Sequence, residues 1–131
     1  MIVDTSALMA VVLDEPEGLK IAGVLARAGR KSISAGNWIE LEAALSGKDV
    51  PNLSERLESF ITAIRLEIEP VTVEQAHIGR AAYRTLGRRS PSPAKLNFGD
   101  CFAYALSKAT GEPLLFKGDD FTHTDVVPAL A

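Results

Sequence analysis

Short apolar runs alternate with longer segments of helical spacing along this chain, and this alternation constrains the fold more than any other feature. The runs at 1–3, 31–35, 69–71 and 113–116 are long enough only for short strands. Segments with helical spacing separate these runs, and parallel strands need crossover connections of that kind. The sequence therefore predicts an α/β fold in which a central, mainly parallel sheet lies between layers of helices.

Capping and breaking residues place the boundaries of the elements. Gly36 and Asn37 predict a turn and an N-cap before a helix over 38–45. Thr72 opens a capping-box pattern for a helix over 72–86. The other helices are predicted over 7–13, 16–28, 54–67 and 98–109, with a proline-rich loop over 88–97 and a last short strand over 125–127.

Length and composition bound the class of protein. With 131 residues, of which 47% are hydrophobic, the chain can form one domain over 1–131 with a substantial core. Cys101 is the only cysteine, which excludes an intrachain disulfide and a cysteine-based zinc cluster. Asp4 interrupts the first apolar residues and no basic segment precedes them, so we expect neither a signal peptide nor a membrane span. A cytoplasmic protein fits these features.

Carboxylates occur at four predicted element boundaries. They are Asp4 after the first strand, Glu40 after the second, Asp100 at a helix start, and Asp119 or Asp120 after the fourth strand. Ligands of open α/β sheets bind beyond the carboxyl ends of the strands, which is where Asp4 and the Asp119-Asp120 pair are predicted to lie. Taken singly, each of these acids is more typical of a helix cap or a solvated surface group.

As a set, the acids predict a metal site. Carboxylates a few ångströms apart repel one another unless their pKa values rise or a cation neutralises them. Oxygen ligands of this kind favour Mg²⁺ or Mn²⁺, and such an ion can promote phosphodiester hydrolysis.

Four segments spread over the whole chain carry a family resemblance. Ile2–Ala7, the Glu40 helix after Ser34, Leu96–Ala105 and Leu114–Phe121 together resemble VapC-type toxins with a PIN domain. The resemblance implies a three-layer α/β/α fold, a Mg²⁺- or Mn²⁺-dependent endoribonuclease, a homodimer, and neutralisation by a VapB antitoxin. Structured RNA such as tRNA is the substrate class that the family suggests.

The resemblance also implies roles for single residues. The first three acids of the family fall on Asp4, Glu40 and Asp100, and alignment on the Asp-Phe pair favours Asp120 as the fourth, with Asp119 as the adjacent alternative. Glu42 is a weaker alternative to Glu40, because two residues along a helix place it on a different face. Around these acids, Thr5 or Ser6 could orient a water at the metal and Asn97 could bond a carboxylate or phosphate, although simple capping explains all three equally well.

A basic segment suggests where RNA binds. The chain carries a net charge of −3, but the four proposed acids account for more than this, so the remainder is not acidic. Arginine contacts to phosphate would give affinity for RNA without selecting a base sequence. The alternative to RNA binding is that these residues form only a solvated helix face followed by a loop. The segment contains no acid, and its basic residues are Arg80, Arg84, Arg88, Arg89 and Lys95.

Two other functions compete with a nuclease. An inactive PIN-like binding module would have less need of all four acids. A metal-dependent phosphatase of the haloacid type needs Asp-x-Asp near the start, whereas Asp4 is followed by Thr5 and Ser6. An antitoxin peptide would need an apolar groove on the protein. The apolar stretches 7–13 and 57–64 are candidate walls of such a groove, and the alternatives are that they form hydrophobic core or a homodimer contact.

Overall fold

Four parallel strands form the centre of the fold in the computed structural model, which describes residues 1–130. They are β1 (Ile2–Val3), β2 (Ser32–Ser34), β3 (Glu67–Glu69) and β4 (Leu114–Leu115), in the order β3-β2-β1-β4. The chain builds the sheet from β1 towards β3 and then places β4 on the other side of β1. The strand order therefore reverses between β1 and β4. The crevice at the carboxyl ends of these two strands is a topological switch point, the usual place for a ligand site.

Helices cover both faces of this sheet. Successive residues of β1 point to opposite faces, so Ile2 packs into a core with residues of α5 and α6, while Val3 packs into a core with residues of α1 to α4. No helix within residues 1–130 has the length and apolar character needed to cross a membrane. The helices are α1 (Thr5–Val12), α2 (Gly18–Arg27), α3 (Ala35–Ser46), α4 (Leu53–Ile64), α5 (Val73–Leu86) and α6 (Phe98–Thr110). The three-layer α/β/α arrangement is confirmed.

Two predicted strand positions were wrong. The third strand lies at Glu67–Glu69 and not at 69–71, because Pro70 has no backbone N–H with which to continue the ladder. The segment 125–127 is not a strand. Leu114 forms only an isolated bridge with Pro128, which also lacks the donor that a longer ladder would need.

The predicted turn at Gly36 and Asn37 was also wrong. The Ser34 hydroxyl accepts a hydrogen bond from the Gly36 backbone N–H at 3.2 Å, and α3 begins at Ala35 directly after β2. Asn37 is therefore inside the helix and completely buried, and Glu40 lies in its second turn. The capping role of Thr72 is confirmed, because its hydroxyl accepts from the Gln75 backbone N–H at 3.1 Å.

Candidate active site

The carboxyl ends of β1 and β4 place acidic residues at the switch point. Asp4 follows β1 and caps α1, while Asp119 and Asp120 follow β4 in an exposed turn. Gly118 opens this turn with a φ of +95°, a left-handed conformation that favours glycine. Asp100 lies in the first turn of α6, which packs against α3, the helix that carries Glu40.

Asp4 is a buried carboxylate. Its side chain is only 5% exposed, and one oxygen, Oδ2, accepts a hydrogen bond from the Ser6 backbone N–H at 3.0 Å. Burial raises the pKa of Asp4 to about 6, and the charges of Glu40 and Asp120 add to the increase against the opposing effect of the Ser6 hydrogen bond. Asp4 therefore lies within electrostatic reach of two of the other proposed acids.

Asp100 is also a buried carboxylate with a raised pKa. It forms a capping box with Asn97, in which the Asn97 backbone N–H donates to Asp100 Oδ2 at 2.9 Å and Asn97 Oδ1 accepts from the Asp100 backbone N–H at 2.8 Å. Burial raises the pKa of Asp100 to about 7, with further contributions from the charges of Asp4, Asp120 and Glu40. Asn97 thus orients Asp100 through its backbone, and its side chain caps α6.

Glu40 is held by two hydrogen-bond donors. The Thr5 hydroxyl donates to Glu40 Oε1 at 2.6 Å, and Asn37 Nδ2 donates to the same oxygen at 3.1 Å. The other oxygen, Oε2, lies against the Cα of Gly99 so closely that a Cβ there would overlap it. Thr5 therefore contacts a proposed ligand directly. Sequence reasoning missed the part played by Asn37, although its spacing of three residues from Glu40 places both on one helix face.

Ser6 and the Asp119-Asp120 turn belong to the same neighbourhood. The Lys117 backbone N–H donates to the Ser6 hydroxyl at 3.0 Å, which ties α1 to the segment leading into the turn. Asp120 contributes to the raised pKa values of Asp4 and Asp100, whereas the charge of Asp119 is not among their causes. This difference favours Asp120 as the fourth acid. Glu42 is exposed and takes no part in these contacts.

The donor chemistry fits a divalent ion, although the acids do not form a ready-made cluster. In residues 1–130, no three Asp, Glu, His or Cys side chains converge closely enough to bind one metal ion. Like-charged carboxylates repel, and a divalent cation would supply the attraction that draws them together. Two buried carboxylates with raised pKa values and two further acids within electrostatic reach form an oxygen-only donor set suited to such an ion.

The raised pKa values predict how stability depends on pH when metal is chelated. In the folded protein Asp4 and Asp100 keep their protons to about pH 6 and 7, whereas in the unfolded chain both titrate near 3.8. The folded state therefore binds more protons at these two groups, and we expect them to lower the free energy of unfolding as pH rises from about 4 to about 8. Urea unfolding in EDTA at pH 5, 6, 7 and 8 measures this slope. A free energy of unfolding that rises over this range would contradict it.

The basic residues of 80–95 are all exposed but lie in two places. Arg80 and Arg84 are on α5 and line a groove of about 560 Å³ between α5 and α6, together with Tyr83, Phe98 and Phe102. Arg88, Arg89 and Lys95 lie in the loop between these helices. Within residues 1–130, no ion pair involves any of the five. Their charges are therefore available to a polyanion.

Comparison with known proteins identifies the family of this chain. Residues 1–127 match the PIN domain. The chain belongs to the PIN-domain family. Over 129 residues this PIN-domain chain is 44% identical to ribonuclease VapC42 of Mycobacterium tuberculosis, a match that covers 98% of each protein. The resemblance to VapC-type PIN-domain proteins that the motifs suggested is confirmed.

Solved structures agree on the fold. The PIN-domain chain superimposes on the crystal structure of VapC20 of Mycobacterium tuberculosis, described as a toxin that cleaves the sarcin-ricin loop, with a TM-score of 0.76 at 15% identity. That match covers 96% of this chain and 95% of the other. VapBC2 of Rickettsia felis, solved with a DNA fragment from its promoter, gives a TM-score of 0.74 at 16% identity, covering 97% and 94%. At such low identity these matches establish the fold alone.

Proposed function

We infer that this PIN-domain chain is a ribonuclease of the VapC type, the toxin of a toxin–antitoxin pair, and we propose that it hydrolyses RNA internally with Mg²⁺ or Mn²⁺. PIN-domain VapC nucleases generally depend on a divalent metal. The observation that carries the proposal is the pair of buried carboxylates, Asp4 and Asp100, at the switch point, with raised pKa values to which Glu40 and Asp120 contribute. We propose that the protein acts in the cytoplasm, where its RNA substrates occur.

Three of the four proposed ligands have a hydrogen-bond donor that orients them. We propose Asp4, Glu40, Asp100 and Asp120 as the residues that would hold the ion, with Asp119 as a neighbour in the turn. The bound ion would stabilise charge on the phosphate and help to deprotonate the attacking water. Supporting residues orient the carboxylates: the Ser6 backbone N–H bonds Asp4, the Thr5 hydroxyl bonds Glu40, and the Asn97 backbone N–H bonds Asp100.

Cleavage of total cellular RNA by the purified chain tests this proposal. We expect discrete fragments with Mg²⁺ or Mn²⁺ and none in EDTA or with the Asp4→Asn variant. Glu42→Gln is the matched control, because Glu42 is an exposed acid on the same helix as Glu40, and it should cleave like the unaltered protein. Folded protein that cuts nothing in a broad RNA panel, tRNA included, would favour an inactive binding module. Activity on phosphomonoesters alone would favour a phosphatase.

The exposed basic residues of the loop between α5 and α6 are proposed to bind the RNA backbone. We expect the double variant Arg88→Ala/Arg89→Ala to bind RNA about tenfold more weakly. The slope of affinity against salt should decrease by about two, because each arginine that no longer neutralises a phosphate reduces it by roughly one. Binding is measured in an Asp100→Asn background, so that cleavage does not interfere. Arg27→Ala, an exposed arginine at the end of α2, is the control. An unchanged salt slope in the double variant would exclude this mode of binding.

An antitoxin peptide has a candidate groove between α1 and α4. Both stretches 7–13 and 57–64 contribute to the core, which includes the fully buried Leu8, but only Leu57 and Ile64 of the second stretch are buried. Val11 and Phe60 are only partly buried and line a groove of about 550 Å³. We propose that a VapB-type antitoxin lays apolar side chains in this groove, which the Asp14–Arg56 ion pair borders.

The groove between α5 and α6 is the proposed homodimer contact. Its rim exposes large apolar side chains, with Phe98 73% and Tyr83 39% exposed. Large apolar side chains are costly to leave exposed to water, and aromatic residues are enriched at protein interfaces. We expect light scattering to give twice the chain mass of 14.0 kDa, and Phe98→Glu to give the monomer mass. A monomer for the unaltered protein at micromolar concentration would contradict this contact.

A further inference from the structure

Asn37 is a fully buried polar side chain that contacts Glu40. It is inside α3 with an exposed fraction of 0%, and the capping role that the sequence predicted for it belongs to Ser34. Its amide nitrogen donates two hydrogen bonds, one to Glu40 Oε1 at 3.1 Å and one to the Gly99 backbone carbonyl at 2.9 Å. Asn37 thus links Glu40 on α3 to the first turn of α6, next to Asp100.

The two hydrogen bonds fix the orientation of the Asn37 amide. Both partners are acceptors, so a rotated amide would place Oδ1 against a carboxylate oxygen and a carbonyl oxygen. In the observed orientation Oδ1 is buried and has no hydrogen-bond partner within residues 1–130. An unsatisfied buried oxygen lowers the stability of the fold and offsets part of what the two donated hydrogen bonds contribute. The contribution of the asparagine therefore lies in its two donated bonds, which join Glu40 to α6.

Asn37 and Thr5 act on the same atom. Both donate to Glu40 Oε1, and the other oxygen of Glu40 lies against Gly99. Two donors from different helices hold one carboxylate oxygen, while the Gly99 backbone limits the other; a side chain at Gly99 would fit only if the Glu40 carboxylate moved. Rotation of the Glu40 carboxylate is restricted on both sides by these contacts.

We propose that Asn37 is a positioning residue, which fixes the Glu40 carboxylate relative to Asp100 so that both can bind the same divalent ion. The inference rests on the proposed function, because that function assigns Glu40 and Asp100 as ligands. Asn37 itself contacts neither substrate nor metal in this role. Its effect is transmitted through one hydrogen bond to Glu40 and one to the start of α6.

The test compares Asn37→Leu with the unaltered protein in two measurements. Calorimetric titration with Mn²⁺ gives the affinity for the metal, and thermal unfolding in EDTA gives the stability without it. We expect Asn37→Leu to bind Mn²⁺ about 10- to 100-fold more weakly, the usual cost of removing a partner of a ligand. Its Tm in EDTA should change by only a few degrees, because removal of the unsatisfied oxygen offsets part of the two lost hydrogen bonds. In a Glu40→Ala background, Asn37→Leu should weaken Mn²⁺ binding no further.

Controls separate this inference from the proposed function. Gln75→Leu also removes a buried amide whose oxygen has no partner within the described residues, but on α5, and it should leave Mn²⁺ affinity unchanged. If Asn37→Leu does not fold, Asn37→Ala, which only removes atoms, takes its place in the same comparison. Unchanged Mn²⁺ affinity in a folded Asn37 variant, or equal weakening in the Glu40→Ala background, would overturn the inference. If the unaltered protein neither binds Mn²⁺ nor cleaves RNA, the proposed function itself fails.

Discussion

Asp100→Asn should abolish RNA cleavage and at the same time make the protein more stable in EDTA. Removal of a direct ligand should cost more than the roughly 10- to 100-fold that removal of a supporting partner costs, so we expect at least about a 100-fold decrease in kcat/KM. The gain in stability has a separate cause. Burial and neighbouring charges raise the pKa of Asp100 to about 7, so at pH 8 the folded state carries a carboxylate charge that its surroundings disfavour.

The size of the stability gain follows from linkage. A carboxylate that titrates near 3.8 when unfolded and near 7 when folded is linked to a penalty of up to about 4 kcal/mol at pH 8. Side-chain relaxation screens part of it, so we expect a gain of about 2 kcal/mol, or a Tm increase of roughly 5–10 °C at pH 8. Asparagine keeps a side-chain oxygen that can accept the Asn97 backbone N–H, and the helix cap is therefore preserved.

The pH dependence distinguishes this explanation from a general stabilising effect. The gain should shrink towards pH 5, where Asp100 is protonated in the folded protein. Glu42→Gln removes an exposed carboxylate and should change neither cleavage nor Tm. An Asp100→Asn protein with the same stability advantage at pH 5 and pH 8, or with full activity, would show that Asp100 is not a buried charge held for metal binding.

The parts of this site that could be predicted are those set by local sequence. Asp4 caps α1 and Asp100 lies in the first turn of α6, both next to apolar runs, so the pattern places them correctly at element boundaries. β3 was misplaced by two residues because Glu67–Glu69 is an exposed edge strand with a weak apolar signal, Ile68 being 49% exposed.

Contacts between distant segments could not be predicted in the same way. The sequence predicts Asn37 as a helix cap after a glycine, but Ser34 has that role. The Asn37 side chain instead donates a hydrogen bond to Gly99, sixty-two residues away in the chain. Such a bond depends on how α3 packs against α6, which no local pattern specifies. The choice between Asp119 and Asp120 likewise depends on a turn opened by Gly118 at positive φ. Residue type does not distinguish the two acids; only Asp120 contributes to the raised pKa values of Asp4 and Asp100.

The packing of α3 against α6 leads to the second large effect, which we expect from Gly99→Ala. A Cβ at this position would overlap Glu40 Oε2, so the carboxylate must move. Because the overlapped atom is the end of a flexible side chain, the fold should tolerate the change, and a glycine-to-alanine substitution in a helix can offset part of the weakened hydrogen bonding. We therefore expect kcat/KM to fall by about 10- to 100-fold while Tm in EDTA changes by only a few degrees.

Two controls make this result specific to Glu40. Gly47→Ala adds the same methyl group at the end of α3, where nothing lies within 4 Å of it, and should cleave RNA normally. In a Glu40→Ala background the overlap is gone, so Gly99→Ala should reduce cleavage no further. Normal cleavage by a folded Gly99→Ala protein would mean that the position of Glu40 is not needed for the reaction. A further decrease in the Glu40→Ala background would mean that the methyl group disturbs Asp100 instead, since that residue follows Gly99 directly in α6.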